Sequence, residues 1–391
     1  MGNHHRPYGV VRHHLAMEQG EVSFHYAPPN LPRSLEQEYI KMSKILTDRK
    51  SNIELLRIVA MILVLLVHSN YFSLGGVEHS DIQSFSSPEF IRVLAEQLCI
   101  ICVNLYILIS GWFGIKPSIK GVLSLLFQVF FYHILISIII LCIGAPFSIK
   151  GFIKVFCFGV PYWFVISYLV LYALSPALNS FIDKVSPKLL LSTILSFFIL
   201  EFSTGWCINF AGFNEGYSAI HFIGLYLLAR YIRLYSCKLV NFSVKIDFTL
   251  YIILTLFPVL LFYGTGRSFN MLAYSSPFVI GAAVFFLLAF NRMQIYSNII
   301  NNIAISVFSV YLVHQHPFLY QHYQQLMQTM YSTLSGWGYV IFVLTFAFLF
   351  TLLCVAVDKI RILIWRYTSN KIVNNIASKL EYILNKVQSL I

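Results

Sequence analysis

The sequence predicts an all-α fold, a polytopic transmembrane helix bundle of about ten spans with both termini cytoplasmic. Three observations carry this expectation. Hydrophobic residues make up 58% of the 391 positions and charged residues only 11%, whereas soluble domains carry about 25% charged residues. Apolar runs near the roughly 20 residues needed to cross a bilayer recur along the chain. Lys and Arg gather in alternate breaks between those runs. So little charge cannot cover a water-facing surface, which excludes a soluble enzyme, a disulfide scaffold and a disordered chain.

The expected spans lie near 53–74, 91–113, 121–143, 162–182, 188–204, 217–235, 248–264, 272–290, 303–319 and 337–357. Turn-forming residues separate them: Gly75-Gly76, Lys116-Pro117, Ser186-Pro187, Gly264 to Gly266 and Gly336 to Gly338. With the N-terminus inside, 22 of the 27 Lys and Arg fall in inside segments. Only Lys150, Lys154 and Arg267 fall outside, while Arg57 and Arg92 lie within spans. This bias orients the chain in the cell membrane. It also explains the formal charge of +11 through contact with anionic lipid, with no need for nucleic acid.

Residues 1–51 read as a disordered or non-native tail, with Met42 as the expected native start. Residues 52–358 form the transmembrane domain. Residues 359–391 form a cytoplasmic tail in which Ile372, Ile376, Leu380, Ile383, Val387 and Leu390 recur at helical spacing, interleaved with Lys371, Lys379 and Lys386. Such a helix suits the inner leaflet, and a coiled-coil homodimer is the alternative. The seven cysteines show no disulfide pattern. Cys99 and Cys102 form a C-x-x-C inside an apolar run, and read as small buried residues.

Ionisable residues inside a bilayer are costly and by default mark function. Arg57 and His68 share the first span, eleven residues apart. At 100° and 1.5 Å per residue they fall within about 20° on one face and about 16 Å apart. Arg57 suits a phosphate, because guanidinium offers a bidentate fork. His68 suits a base, because imidazole titrates near neutral pH. A snorkelling Arg and a hydrogen-bonded core His are the bland alternative.

The segment from Asn52 through Arg57 to His68 resembles the first helix of the acyltransferase-3 family of integral membrane acyltransferases, whose hallmark is an Arg and a His separated by ten residues. Val103–Trp112 (VNLYILISGW), Tyr162-Trp163-Phe164 through Leu171–Asn179 (LYALSPALN) and Tyr311–His314 (YLVH) resemble further family segments in the same order. The resemblance covers about residues 50–360. It implies transfer of an acyl group, often acetyl from acetyl-CoA, to a hydroxyl of an extracytoplasmic glycan or glycolipid. Many members carry a paired-Arg motif after the second helix, where this chain has Lys116 and Lys120.

Under that topology His68, Glu96, Glu201, His221 and His314 fall towards the outer mouth, with Tyr162 and Trp163. Arg57, Lys116, Lys120, Arg230, Arg233 and Arg292 fall towards the inner mouth. His68 is therefore the expected catalytic residue, with Glu96 or Glu201 orienting its ring. Arg57, Lys116 and Lys120 are expected to hold donor phosphates, and Asn104 and Ser110 either to contact the thioester arm or to bond structurally. Tyr162, Trp163, His314 and Glu201 are expected around the acceptor. His68 acts either as base or as a transiently acylated nucleophile. Neither a G-x-S-x-G elbow nor a metal motif is present, so no metal is expected. A transporter or lipid-linked glycan flippase without acyl transfer is the competing reading.

Overall fold

The computed structural model describes residues 49–156, 162–208, 212–235, 242–268, 270–334 and 336–388. The chain divides into two units, Met1–Arg49 and Lys50–Ile391. The expected N-terminal tail with Met42, together with Cys157, Cys237, Lys238 and Leu390, lies outside the described residues. The second unit is all-helical among the described residues.

The first span is α1 (Ser51–Ser69), continued by the short α2 (Tyr71–Leu74). Asn52 pins its start by donating through Nδ2 to the carbonyls of Phe290 and Asn291, at 2.9 and 3.2 Å. At its other end, tyrosines from two later helices bond carbonyls of the closing residues. Tyr323 donates to the Leu65 carbonyl at 2.9 Å and Tyr339 to that of Ser69 at 2.7 Å. Asn70 breaks the helix and clasps Arg92. Its Nδ2 donates to the Arg92 carbonyl at 2.8 Å, and Arg92 Nε donates back to Asn70 Oδ1 at 2.9 Å.

The second span is two helices, α3 (Pro88–Cys99) and α4 (Cys102–Phe113), parted at Ile100-Ile101. Ser87 caps α3 by accepting from Phe90 N, with Pro88 at the first helical position. Then follow α5 (Ile119–Cys142), α6 (Ile149–Phe156), α7 (Trp163–Lys184) and α8 (Pro187–Leu200). A π-helical turn, Glu201–Trp206, prolongs α8. The later helices are α9 (Ala219–Leu234), α10 (Val244–Thr265), α11 (Pro277–Arg292), α12 (Asn298–Ala304), α13 (Phe308–His314), α14 (Pro317–Thr333), α15 (Gly336–Ile364) and α16 (Asn370–Gln388).

Among the described residues, seven stretches are long and apolar enough to cross a membrane: Ser51–Leu74, Pro88–Phe113, Ile119–Cys142, Trp163–Lys184, Pro187–Trp206, Val244–Thr265 and Gly336–Tyr367. Three of the ten expected spans are shorter helices. Expected span 217–235 is α9, 16 residues, and 272–290 is α11, also 16 residues. Expected span 303–319 is replaced by the broken pair α12 and α13. Apolar composition does not reveal such breaks. α11 is lined with buried residues from Val279 to Phe290, so neighbouring helices cover most of its surface.

The sequence does not predict α14. Its start is set by Pro317 at the first position and by His316, whose side chain accepts from Phe318 N. Gln324 and Gln328 then dock it on the carbonyls of Phe72 and Ser73, at 2.6 and 2.8 Å. The main core joins α1, α4, α7, α9, α11 and α13. Gly111 lets α4 and α9 meet: a Cβ there would stand 2.8 Å from both Ala229 Cβ and the Tyr226 carbonyl. Cys99 and Cys102 are free and buried, as small apolar residues would be. The C-terminal helix forms as α16, with Ile372, Ile376, Leu380 and Ile383 exposed along it.

Candidate active site

His68 sits in the last turn of α1 and lines a cavity of about 220 Å³. Aromatic residues from five other segments form most of the wall: Tyr106 on α4, Trp163 and Phe164 on α7, Tyr217 and Tyr274 in two separate loops, and Tyr311 on α13. Tyr320 on α14 also lines it, with its ring centroid 5.9 Å from that of His68. Tyr217 and Tyr320 lie outside the spanning helices. Burial pushes both phenols up from their ordinary value, so both hydroxyls keep their protons at neutral pH.

Two residues that are adjacent in sequence hold the His68 ring. His314 Nε2 lies 3.3 Å from His68 Nδ1, and the Gln315 side-chain amide lies 2.5 Å from the same atom. The Val310 carbonyl, 2.8 Å from His314 Nδ1, can only accept, so His314 carries its proton on Nδ1. Its Nε2 in the neutral ring is then an acceptor. If His68 donates from Nδ1 to that acceptor, His68 Nε2 keeps a lone pair. The Gln315 Nε2 faces both rings, 2.5 Å from His68 Nδ1 and 3.2 Å from His314 Nε2, and in that orientation it donates to each and the His68 proton sits on Nε2. The orientation of the Gln315 amide thus selects the His68 tautomer. His68 Nε2 makes no hydrogen bond with the described residues.

Neither expected carboxylate reaches His68. Glu96 accepts from Tyr71 N at 3.3 Å through Oε2, while its buried Oε1 has no hydrogen-bond partner among the described residues. It lines a separate, larger cavity of about 480 Å³. That cavity shares only Phe72 and Tyr217 with the His68 cavity. Glu201, carried inward by the π-turn, is fully buried against His221, with Oε1 2.9 Å from His221 Nδ1. His221 Nε2 lies 3.0 Å from Asn104 Oδ1, and Asn104 Nδ2 donates to the Tyr274 carbonyl at 2.9 Å. Because Asn104 donates to a carbonyl, its oxygen faces His221, and His221 Nε2 must donate. The second proton lies between His221 Nδ1 and Glu201, so the pair is neutral overall. This chain of hydrogen bonds braces the Tyr274 wall of the cavity.

The other expected residues divide. Trp163 lines the His68 cavity, whereas Tyr162 packs behind it and donates to the Leu312 carbonyl at 3.1 Å. His314 meets His68, is 1% exposed and is not among the residues that line the His68 cavity. Asn104 is wholly engaged as described, and Ser110 donates to the Tyr106 carbonyl at 2.9 Å. These two side chains bond structurally instead of facing the cavity. Lys116 and Lys120 are exposed.

Arg57 ion-pairs with Glu54 one turn earlier on α1 and remains 30% exposed. The Tyr106 hydroxyl donates to the Arg57 carbonyl at 2.8 Å, which joins this end of α1 to the cavity wall. Arg230 packs over Gly114, where a Cβ would stand 3.1 Å from Nη1, and its buried Nε has no hydrogen-bond partner among the described residues. Arg233 lies over Trp112, 5.2 Å from the ring centroid. This end is rich in guanidinium and suits an anion. No group of three or more metal-ligating side chains occurs among the described residues.

Gln315 and Tyr320 are not legible as site residues in the sequence. Gln315 directly succeeds the YLVH segment, and that adjacency is the one available signal. Tyr320 belongs to α14, which no long apolar run announces.

No curated protein and no solved structure shows a significant match. A family model described as an acyltransferase domain matches residues 50–359, which span His68, the His314–Gln315 brace, the Glu201–His221–Asn104 chain and Arg57. With that match over most of its length, and with helices long enough to cross a membrane, the chain belongs to the acyltransferase-3 family of membrane acyltransferases.

Proposed function

We propose that the protein moves an acyl group, acetyl in the first instance, from acyl-CoA to a hydroxyl of an extracytoplasmic glycan, with both termini in the cytoplasm. The observation that carries this reading is the His68 imidazole. It is braced by His314 and Gln315 and lines an aromatic cavity, on the same helix as a part-exposed Arg57. The donor and acceptor are both substrates. Arg57, still part-exposed, suits the donor phosphates, since a guanidinium reads phosphate through two parallel bonds.

With the Gln315 amide turned to present its oxygen to the two rings, His68 donates from Nδ1 and its Nε2 lone pair is available. It takes the proton of the acceptor hydroxyl as that oxygen attacks the thioester carbonyl. The protonated ring returns this proton to the thiolate as the C–S bond breaks, so His68 ends unchanged. The Tyr320 hydroxyl, on the same cavity wall and protonated at neutral pH, would donate to the carbonyl oxygen as it gains negative charge. The aromatic wall suits the apolar face of a sugar ring and keeps bulk water from the thioester.

The test is transfer of labelled acetyl from acetyl-CoA to the glycan fraction of membranes that contain the protein. Wild type is expected to label glycan. Normal labelling by folded His68→Ala protein overturns the assignment.

A further inference from the structure

On the outward side of α1, a third cavity of about 380 Å³ lies between α1, α3 and the start of α15. Its lining is mainly apolar, with Leu66, Ile91, Ala95, Val343 and Leu344 along it. Trp337, 70% exposed, stands at its rim. Tyr331 and Tyr339 also line it, and rings with a polar edge favour the bilayer interface. A lipid chain lying along these helices would meet this groove.

The groove is not isolated. It shares Asn70 and Arg92 with the polar cavity of about 480 Å³. That cavity in turn shares Phe72 and Tyr217 with the His68 cavity. Arg92 stands at the seam between the apolar and polar spaces. Its Nε donates to Asn70 and its Nη2 to the Gly75 carbonyl at 2.7 Å, and its guanidinium lies 5.4 Å from the Tyr331 ring centroid. Its Nη1 donates to none of the described residues. A guanidinium clamped on two sides with one edge open, at the interface end of an apolar groove, matches a phosphate that carries a long hydrocarbon chain.

We propose that the acceptor is a glycan carried on a lipid phosphate. Its hydrocarbon chain lies in the groove of α1, α3 and α15, its phosphate rests on Arg92, and its sugars fill the polar cavity towards His68. This rests on the acyl-transfer reading above and gives that reading an acceptor class. The polar cavity beyond Arg92 is what favours a glycan carrier over a bulk phospholipid. A plain lipid headgroup would not need that volume, which the shared walls Phe72 and Tyr217 set beside the His68 cavity.

The experiment uses the full chain in detergent and decaprenyl phosphate as probe, with decaprenol, inorganic phosphate and phosphatidylglycerol as competitors. Decaprenyl phosphate is expected to bind. Decaprenol and inorganic phosphate should compete at least tenfold more weakly, because each lacks one half of the ligand. Phosphatidylglycerol should compete at least tenfold more weakly as well. Arg92→Gln, which removes the guanidinium, and Ala95→Phe, which fills the groove, are each expected to weaken probe binding at least tenfold. Circular dichroism and thermal unfolding check that each variant is folded, and if one is not, the other decides with the competition series. Equal competition by phosphatidylglycerol means a bulk-lipid site and overturns the proposal. So does wild-type probe affinity in a folded variant. Binding is read without acyl-CoA, so an absence of acetyl transfer beside intact, Arg92-dependent binding would fail the acyl-transfer reading alone.

Discussion

His68 depends on its neighbours in a way that mutations can separate. Replacing His68 with Ala removes the proposed proton acceptor and is expected to lower acetyl transfer at least about a hundredfold, measured in membranes with labelled acetyl-CoA. Gln315→Ala leaves the base in place and removes the group that selects its tautomer. It should lower kcat more than it raises KM. Tyr320→Phe should also lower kcat, by about tenfold to a hundredfold, if its hydroxyl meets the developing oxyanion. Unchanged kcat in Tyr320→Phe would remove the tyrosine from the mechanism and leave His68 standing. At the other end of α1, Arg57→Ala should raise the acyl-CoA KM by roughly tenfold to a hundredfold, equivalent to about 1.5–3 kcal/mol for charged hydrogen bonds. Arg57→Lys should recover only part of that, since an ammonium keeps the charge and lacks the fork.

At the scale of elements, the site is held by helix ends and breaks more than by helix middles. The π-turn after α8 turns Glu201 inward to His221, and Asn104 passes the connection to the Tyr274 carbonyl. Glu201→Ala leaves a buried imidazole without its carboxylate and should destabilise the fold by about 3 kcal/mol. Thermal unfolding in detergent measures this, and Glu201→Gln, which keeps a hydrogen-bonding group, should lose less. Gly111→Ala tests the approach of α4 and α9. Its Cβ would press on the Tyr226 backbone, which cannot give as a flexible side chain can, at about 1–3 kcal/mol. The Arg57-x10-His68 spacing is readable because it lies on one helix of known pitch. The Glu201–His221–Asn104 chain is not readable, since its members come from three elements whose neighbours no periodicity reveals. Glu96 shows the same limit: its depth along the chain matches His68, yet it faces a different cavity.

For the whole molecule, the proposed orientation rests on the Lys and Arg bias and is open to labelling. Single cysteines at positions 116 and 188 should react with a membrane-impermeant maleimide only when the cytoplasmic face is open. Cysteines at 150 and 267 should react in intact cells. Reaction of all four from one side would refute the topology. The sequence by itself determined the membrane class, because a chain with 11% charged residues cannot clothe a soluble surface. It also determined that Arg57 and His68 share a helix face, because helical pitch is a local property. Only the tertiary structure decided that three apolar runs are short or broken helices, that His314 and Gln315 brace His68 in place of a carboxylate, and that Arg92 joins a groove to a cavity. Those facts depend on which helices become neighbours, and packing between distant segments leaves no regular mark on the order of residues.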